Sequence, residues 1–578
     1  MLPRAKHAAD TVVTGIEEAR RRRTADLALE LDLTEPLLDE VPQDPMGAIL
    51  ARRRSSLLAV LQGMRRAARD PRVRALVVKL GGSRSVLRLA QAQEIQDAVR
   101  DLRDHGKVTI AWAETFGEFG NASVPYVLAT SFDEIWLQPS GDVGITGVAT
   151  EVPFLRGMLD KAGITPQLAQ RHEYKNAANV FTERGFTAPH REATERVVES
   201  MTGQLVATIA ANRNLDPGAV RGLIDRAPLF ATEALESGLV DRLGYRDDVY
   251  AALRSRTGDD VVLQYIGRYR RSRLAQLSSR VTASPPDTVA LVQVTGPIHL
   301  GRSRRQPLAA NSAGADTVTA ALRAATKEDD VKAIVLRVAS PGGSYVASDA
   351  IWREVAVARG AGKPVVVSMG DVAASGGYFV SMGADAIVAQ AGTLTGSIGV
   401  VSGKQVVDRL VDRLGVDHDH VAAGRHGLMF SPLHAFTEEE WERLNVWLDR
   451  IYDDFVAKVA EGRGLPGDRV HEVARGRVWT GADAKEHGLV DELGGLRVAL
   501  DLARERAGLA PSDELDTRVF PRQPLPSRLR PPQSSEDPAA ATARLRLEAW
   551  GPFADVATRL GLPVYGPLML ADGHRLAW

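Results

Sequence analysis

Short runs of consecutive apolar residues alternate along this chain with longer stretches in which apolar positions recur every three to four residues. ALVVKL, AIVLRV and PVVVSM are runs of the first kind. RLAQAQEIQDAVRDLRDHG and SYVASDAIWREVAVARGAG are stretches of the second. The first pattern predicts strands buried on both faces, and the second predicts amphipathic helices. Strand, helix, strand, helix in this order predicts a parallel sheet joined by right-handed crossovers.

The pattern occurs twice. LALELDLTEPLLDE near residue 28 resembles TVALVQVTGPIHLG near residue 288, and VRALVVKLGGS (73–83) matches VKAIVLRVASPGGS (331–344). GKVTIAW (106–112) matches GKPVVVS (362–368), residues 121–147 match 373–399, and GLVDRLGY (238–245) matches GLVDELGG (488–495). The offset drifts smoothly, from about 261 to about 250 residues. An ordered series of this kind indicates a duplicated domain. The predicted organisation is a basic helical segment (1–24), a first domain (25–255), a linker (256–285), a second domain (286–508), a Pro-rich linker (509–540) and a C-terminal tail (541–578). The tail ends in a predicted hairpin with Asp572-Gly573 at its turn.

Composition narrows the chemistry. Cysteine is absent from the 578 residues, which excludes disulfides, thiolate metal sites and a cysteine nucleophile. The 72 basic and 73 acidic residues nearly cancel, so no nucleic-acid partner is expected. The Gly-rich turns do not form GxxxxGK[ST], and the acidic residues lack metal-motif spacing. No cofactor or metal is therefore expected. No segment reaches the roughly 18 apolar residues of a membrane-spanning helix. The run Arg20–Arg23 can touch anionic lipid. The expected location is cytoplasmic, with peripheral contact at the inner face of the cell membrane.

The two copies differ at the strand-to-helix turns. In SMGDVAASGGYFV a strand is predicted to end at Met369, followed by a Gly-Asp turn and a helix from about Ala374. Ser375 then stands where a nucleophile or a helix cap would stand. Gly376 and Gly377 leave room for a substrate backbone. The strand AIVLRV leads into Ser340-Pro341-Gly342-Gly343-Ser344, and the Gly343 and Gly376 N–H groups together would form a two-donor oxyanion hole. The first copy has Ser123 in the matching place, but Val124 and Pro125 replace the glycines, so that copy reads as inactive.

A nucleophilic serine needs a base. RHEYKNAANVFTERGFT in the first copy offers Lys175, whereas the matching GRHGLMFSPLHAFT has no lysine. Only 11 of the 72 basic residues are lysine, and arginine cannot act as a neutral base. His172, His426 and His434 are alternative bases.

SPGGS, DVAASGGY, GTLTGSIGV, WTGADAKEHGLVDELGG and YKNAANVFTERGFTAPHREA together resemble the S49 family of serine peptidases, in its long tandem-domain signal peptide peptidase form. The resemblance spans both copies. It implies two tandem ClpP/crotonase-like α/β domains with parallel sheets and crossover helices. It also implies Ser375 as nucleophile, Lys175 as general base, Ser397 of the GSIG motif assisting the lysine, and no cofactor. Short or unfolded peptides, such as signal-peptide remnants, would be the substrates, and the chain would form a homotetramer. Members of that family typically begin with a membrane anchor, and this chain shows no such segment. A crotonase-like acyl-CoA enzyme using the same oxyanion hole, or a non-catalytic scaffold, are the alternative functions.

Overall fold

A computed structural model describes residues 25–38, 55–82, 87–269, 287–306, 309–510 and 517–521, with the short strands Arg544–Leu545, Leu568–Met569 and Leu576–Ala577. The N-terminal segment 1–24, Arg270, Arg271, Arg273, most of the Pro-rich linker and the Asp572-Gly573 turn lie outside the described residues.

Each copy builds a sheet of the predicted parallel kind. The first runs Val262–Tyr265, Leu27–Asp32, Val73–Lys79, Val108–Ala113, Glu134–Leu137, Arg242–Leu243, all neighbours parallel. The second repeats the order with Thr517–Phe520, Thr288–Thr295, Val331–Ser340, Val365–Ala374, Ala386–Ala389, Glu492–Leu493. The apolar runs are buried on both faces: Val73 to Val78 and Ala333 to Val338 lie between helices, apart from Arg74 and the buried Arg337. Strand Val262–Tyr265 falls within the range predicted as linker, and strand Thr517–Phe520 falls beyond the predicted end of the second domain. Both are runs of only four residues, VLQY and TRVF, that gain their identity from a partner edge.

The second copy departs from its twin at one place that matters. Val365–Ala374 does not stop at Met369; it continues through Gly370, Asp371 and Val372 to Ala374. Its second half pairs with a further strand, Leu394–Gly396, which in turn pairs antiparallel with Val478–Thr480. The predicted Gly-Asp turn is absent, because this extra neighbour supplies the ladder partners that keep the backbone extended.

The two copies are joined through both backbone and side chains. Thr165–Arg171 of the first copy pairs antiparallel with Val400–Val406 of the second over seven residues. Glu94, on the first copy's helix Leu89–Asp104, is buried and meets Arg337 Nη2 at 2.5 Å. Its other oxygen accepts from the Leu496 N–H at 3.0 Å, and Arg337 Nη1 donates to Ser368 Oγ at 2.8 Å. Arg337→Leu would leave this carboxylate buried without its cation. Chemical denaturation is expected to report a loss of about 3–5 kcal/mol.

Described pieces of the tail lie across both copies. Leu568–Met569 pairs antiparallel with Gly342–Gly343, and Leu576–Ala577 pairs with Ala149–Thr150. These two strands join other parts of the chain rather than each other, contrary to the predicted hairpin. Among the described residues, no helix is long and apolar enough to cross a membrane.

Candidate active site

Ser375 follows the last residue of the extended strand and opens the single helical turn Gly376–Phe379. Its φ of 56° and ψ of −114° are unusual for a residue with a side chain. Its side chain makes no helix-capping hydrogen bond, so the cap role is not realised. The hydroxyl instead lies 2.7 Å from Lys175 Nζ, across 200 residues of sequence.

Lys175 arrives from the other copy. Strand Thr165–Arg171, pinned to Val400–Val406, delivers the chain to a loop that ends at Lys175, just before the turn Asn176–Ala178. Lys175 is only 1% exposed. Nζ also meets Ser397 O at 2.8 Å and Ser397 Oγ at 2.9 Å. An ammonium would donate in all three contacts, whereas a neutral amine brings two hydrogens and one lone pair. With the hydrogens on Ser397, the lone pair is left to accept from the Ser375 hydroxyl. Burial pushes the Lys175 ammonium down to about 7.

Backbone strain collects around this amine. Five non-glycine residues among those described have positive φ, and three of them, Ser375, Ser397 and Arg475, surround Lys175. Such strain persists where surrounding contacts impose it, often at functional sites.

The glycines also converge. A Cβ added to Gly376 would lie 2.8 Å from Ser348 Oγ, 3.0 Å from Gly343 N and 3.1 Å from Gly342 Cα. A Cβ on Gly343 would sit 2.0 Å from Ile298 O, at a φ of 154°. Only glycine therefore lets Gly343 and the turn after Ser375 approach this closely.

The matching place in the first copy is different. Ser123 Oγ donates to Asn121 Oδ1 at 2.7 Å and accepts from the Gly147 N–H at 3.1 Å. Ser123, Val124 and Pro125 are all buried in the helix Ser123–Ala129. The three candidate histidines also lie elsewhere. The His172 ring packs on Tyr452 and His471, His426 sits by Glu439 and Glu440, and His434 stacks with His418 and His420.

Sequence reasoning missed the Arg475–Gly476 turn. Arg475 O accepts from the N–H groups of His172 and Tyr174, and Gly476 N donates to Ile398 O. A Cβ on Gly476 would come within 2.5 Å of Lys175 Cβ. The glycine in ARGRVWT was the only local signal.

Comparison with known proteins agrees with this architecture. The family model for Peptidase family S49 matches residues 101–258 and 357–510, one stretch in each copy. A Clp protease model matches residues 306–391. Protease 4 of Salmonella typhi is 33% identical over 515 residues, 84% of this chain and 79% of its own length. Protease 4 of Haemophilus influenzae is 32% identical over 471 residues, 78% of this chain and 73% of its own. The chloroplastic serine protease SPPA of Arabidopsis thaliana is 28% identical over 424 residues, 72% of this chain and 61% of its own. With a family match in each half and such relatives along most of its length, the chain belongs to peptidase family S49 and is a serine peptidase built from two tandem ClpP-like α/β domains.

Proposed function

We propose that this peptidase works through a Ser/Lys dyad divided between its two copies. The observation that carries the reading is the 2.7 Å contact between Ser375 Oγ and a fully buried Lys175 Nζ. Neutral Lys175 takes the Ser375 proton as the oxygen attacks a peptide carbonyl. The Gly343 and Gly376 N–H groups stabilise the oxyanion. Lys175 then protonates the leaving amine, and water hydrolyses the acyl-enzyme. Ser397 holds the amine in register and orients its lone pair toward Ser375.

The substrates are extended peptides with small or apolar side chains near the cut, signal-peptide remnants among them. The edge at Gly342–Gly343 favours this mode, since it accepts an extended backbone from the chain's own Leu568–Met569. The chain acts as a homo-oligomer, a tetramer by its family resemblance.

The two serines provide the test. An unfolded protein and short apolar peptides are offered to wild type, Ser123→Ala and Ser375→Ala, with an acyl-CoA thioester as a second substrate class. Wild type and Ser123→Ala are expected to cleave the peptides at rates within about twofold, with no serine-dependent turnover of the thioester. Ser375→Ala is expected to be inert. Peptide cleavage that survives in Ser375→Ala would sink the reading.

A further inference from the structure

The lysine loop has little regular structure of its own, so something outside it must hold Lys175 in place. Its seat is the Arg475–Gly476 turn described above. That turn is itself under tension, with Arg475 at a φ of 56°, a left-handed conformation unfavourable for a residue with a side chain. Tyr452, on the helix Glu438–Arg463, supports it: its Oη accepts from the Arg475 N–H at 3.3 Å.

The direction of the next hydrogen bond follows. Tyr452 is 4% exposed, and its Oη lies 2.9 Å from His471 Nδ1. With one lone pair on the Arg475 N–H, the phenol can donate its proton to Nδ1. This requires His471 to be neutral, with its proton on Nε2. A protonated His471 would carry a hydrogen on Nδ1, and the Tyr452 proton would lose its acceptor in a buried place. His471 is solvent-exposed, so a proton can reach it. The new charge would also lie beside the His172 ring, whose centroid is 5.2 Å away. His172 already has its ionisation pushed down by burial, and then by His471.

The other charged groups around the pair are Arg171 and Glu173 on the lysine loop, Arg475 on the turn, Asp449 and Asp453 on the helix Glu438–Arg463, and Asp468, Arg469 and Glu472 on the helix that carries His471. Arg171 is bound by Asp449 at 2.5 Å, and Glu173 pairs with Arg475. The Asp449, Glu173 and Glu472 carboxylates are thus engaged by arginines, and Asp453 adds a further negative charge beside Tyr452.

We propose that Tyr452 and His471 are positioning residues for Lys175: the hydrogen bond that Tyr452 donates to a neutral His471 fixes the turn on which the lysine loop rests. The proposal builds on the Ser/Lys reading and adds a second proton to its control. Lys175 must lose its proton to act as base, and His471 must be neutral to hold it in place. Activity should therefore fall on the acid side more steeply than one ionisation allows.

The test is kcat and kcat/KM for a short apolar peptide from pH 5.5 to 9, with wild type, Tyr452→Phe and His471→Asn, and Ser375→Ala as the blank. Asparagine keeps an acceptor near the Nδ1 position but does not titrate. In wild type the limiting acid slope is expected to exceed one, approaching two, and in His471→Asn to be shallower by about one. Tyr452→Phe is expected to lower kcat by about ten- to hundredfold with KM within about twofold, as small displacements of a catalytic group do. It should also move the acid limb to higher pH, as water reaches a loosened Lys175. Should Tyr452→Phe not fold, the His471→Asn slope decides alone. Superimposable acid limbs for wild type and His471→Asn, each of slope one, would overturn the proposal. An active Ser375→Ala would instead overturn the Ser/Lys reading beneath it.

Discussion

Ser375→Ala is expected to lower kcat for peptide hydrolysis by about 10⁴-fold or more, while KM changes little. In the proposed mechanism, removing one oxygen takes away the atom that forms the acyl-enzyme and leaves the proposed binding edge untouched. The fold should tolerate the change. Alanine keeps the same Cβ at the same φ of 56°, and no helix cap is lost, because Ser375 provides none. Lys175 Nζ retains its two contacts with Ser397. Circular dichroism and the assembly size should match wild type. A folded protein with no turnover is the expected outcome, and comparable turnover would move the nucleophile elsewhere.

The second large effect concerns Lys175. Lys175→Met is expected to reduce kcat by about 10³-fold or more, and Lys175→Arg should rescue nothing. A guanidinium stays protonated at every working pH, and a site that leaves lysine 1% exposed has no room for its planar fork. The pH profile follows from burial, which holds the Lys175 ionisation at about 7 rather than 10.5. With the neutral amine as the proposed base, kcat/KM should rise with pH through about 7 and then level off.

Stability should follow the same ionisation with a definite sign. Between pH 7 and 10.5 the unfolded chain holds a proton on Lys175 that the native state has released. Stability from this group therefore rises across that window, by about 1.4 kcal/mol per pH unit, and its full burial cost is present below pH 7. Denaturation at pH 7 and pH 9 should show wild type gaining more on alkalinisation than Lys175→Met. Equal gains would mean the amine is not neutral in the native state.

Much of this was legible in the chain. The two sheets follow from apolar runs that repeat at a nearly constant offset. Their parallel order follows from the helical stretches between them. The inequality of the copies was visible as Gly376-Gly377 against Val124-Pro125, and as a lysine at 175 with no counterpart in the second copy. The hydrogen-bond partners of that lysine were less visible. Ser397 sits in a Gly-rich turn whose residues carry no chemical signature, and only family resemblance pointed to it. Strand Val365–Ala374 runs past the end that its sequence predicts at Met369, because Gly370-Asp371 favours a turn locally and the neighbour Leu394–Gly396 overrides that preference. The contacts between Glu94 and Arg337, and between Arg475 and the loop at His172, join residues 243 and about 300 positions apart. Local periodicity carries no trace of such pairs, since each member alone reads as a surface charge or a turn.

The proposed division of one active site between two copies can be tested in a single experiment. An activated ester of a short apolar peptide is mixed with wild type or with Lys175→Met, quenched in acid within the first turnover, and the protein is mapped by mass spectrometry. The account predicts the acyl group on Ser375 in wild type, with its formation slowed by about 10³-fold or more in Lys175→Met at pH 7.5. An acyl group on any other residue, or one that forms on Ser375 equally fast without Lys175, would contradict it.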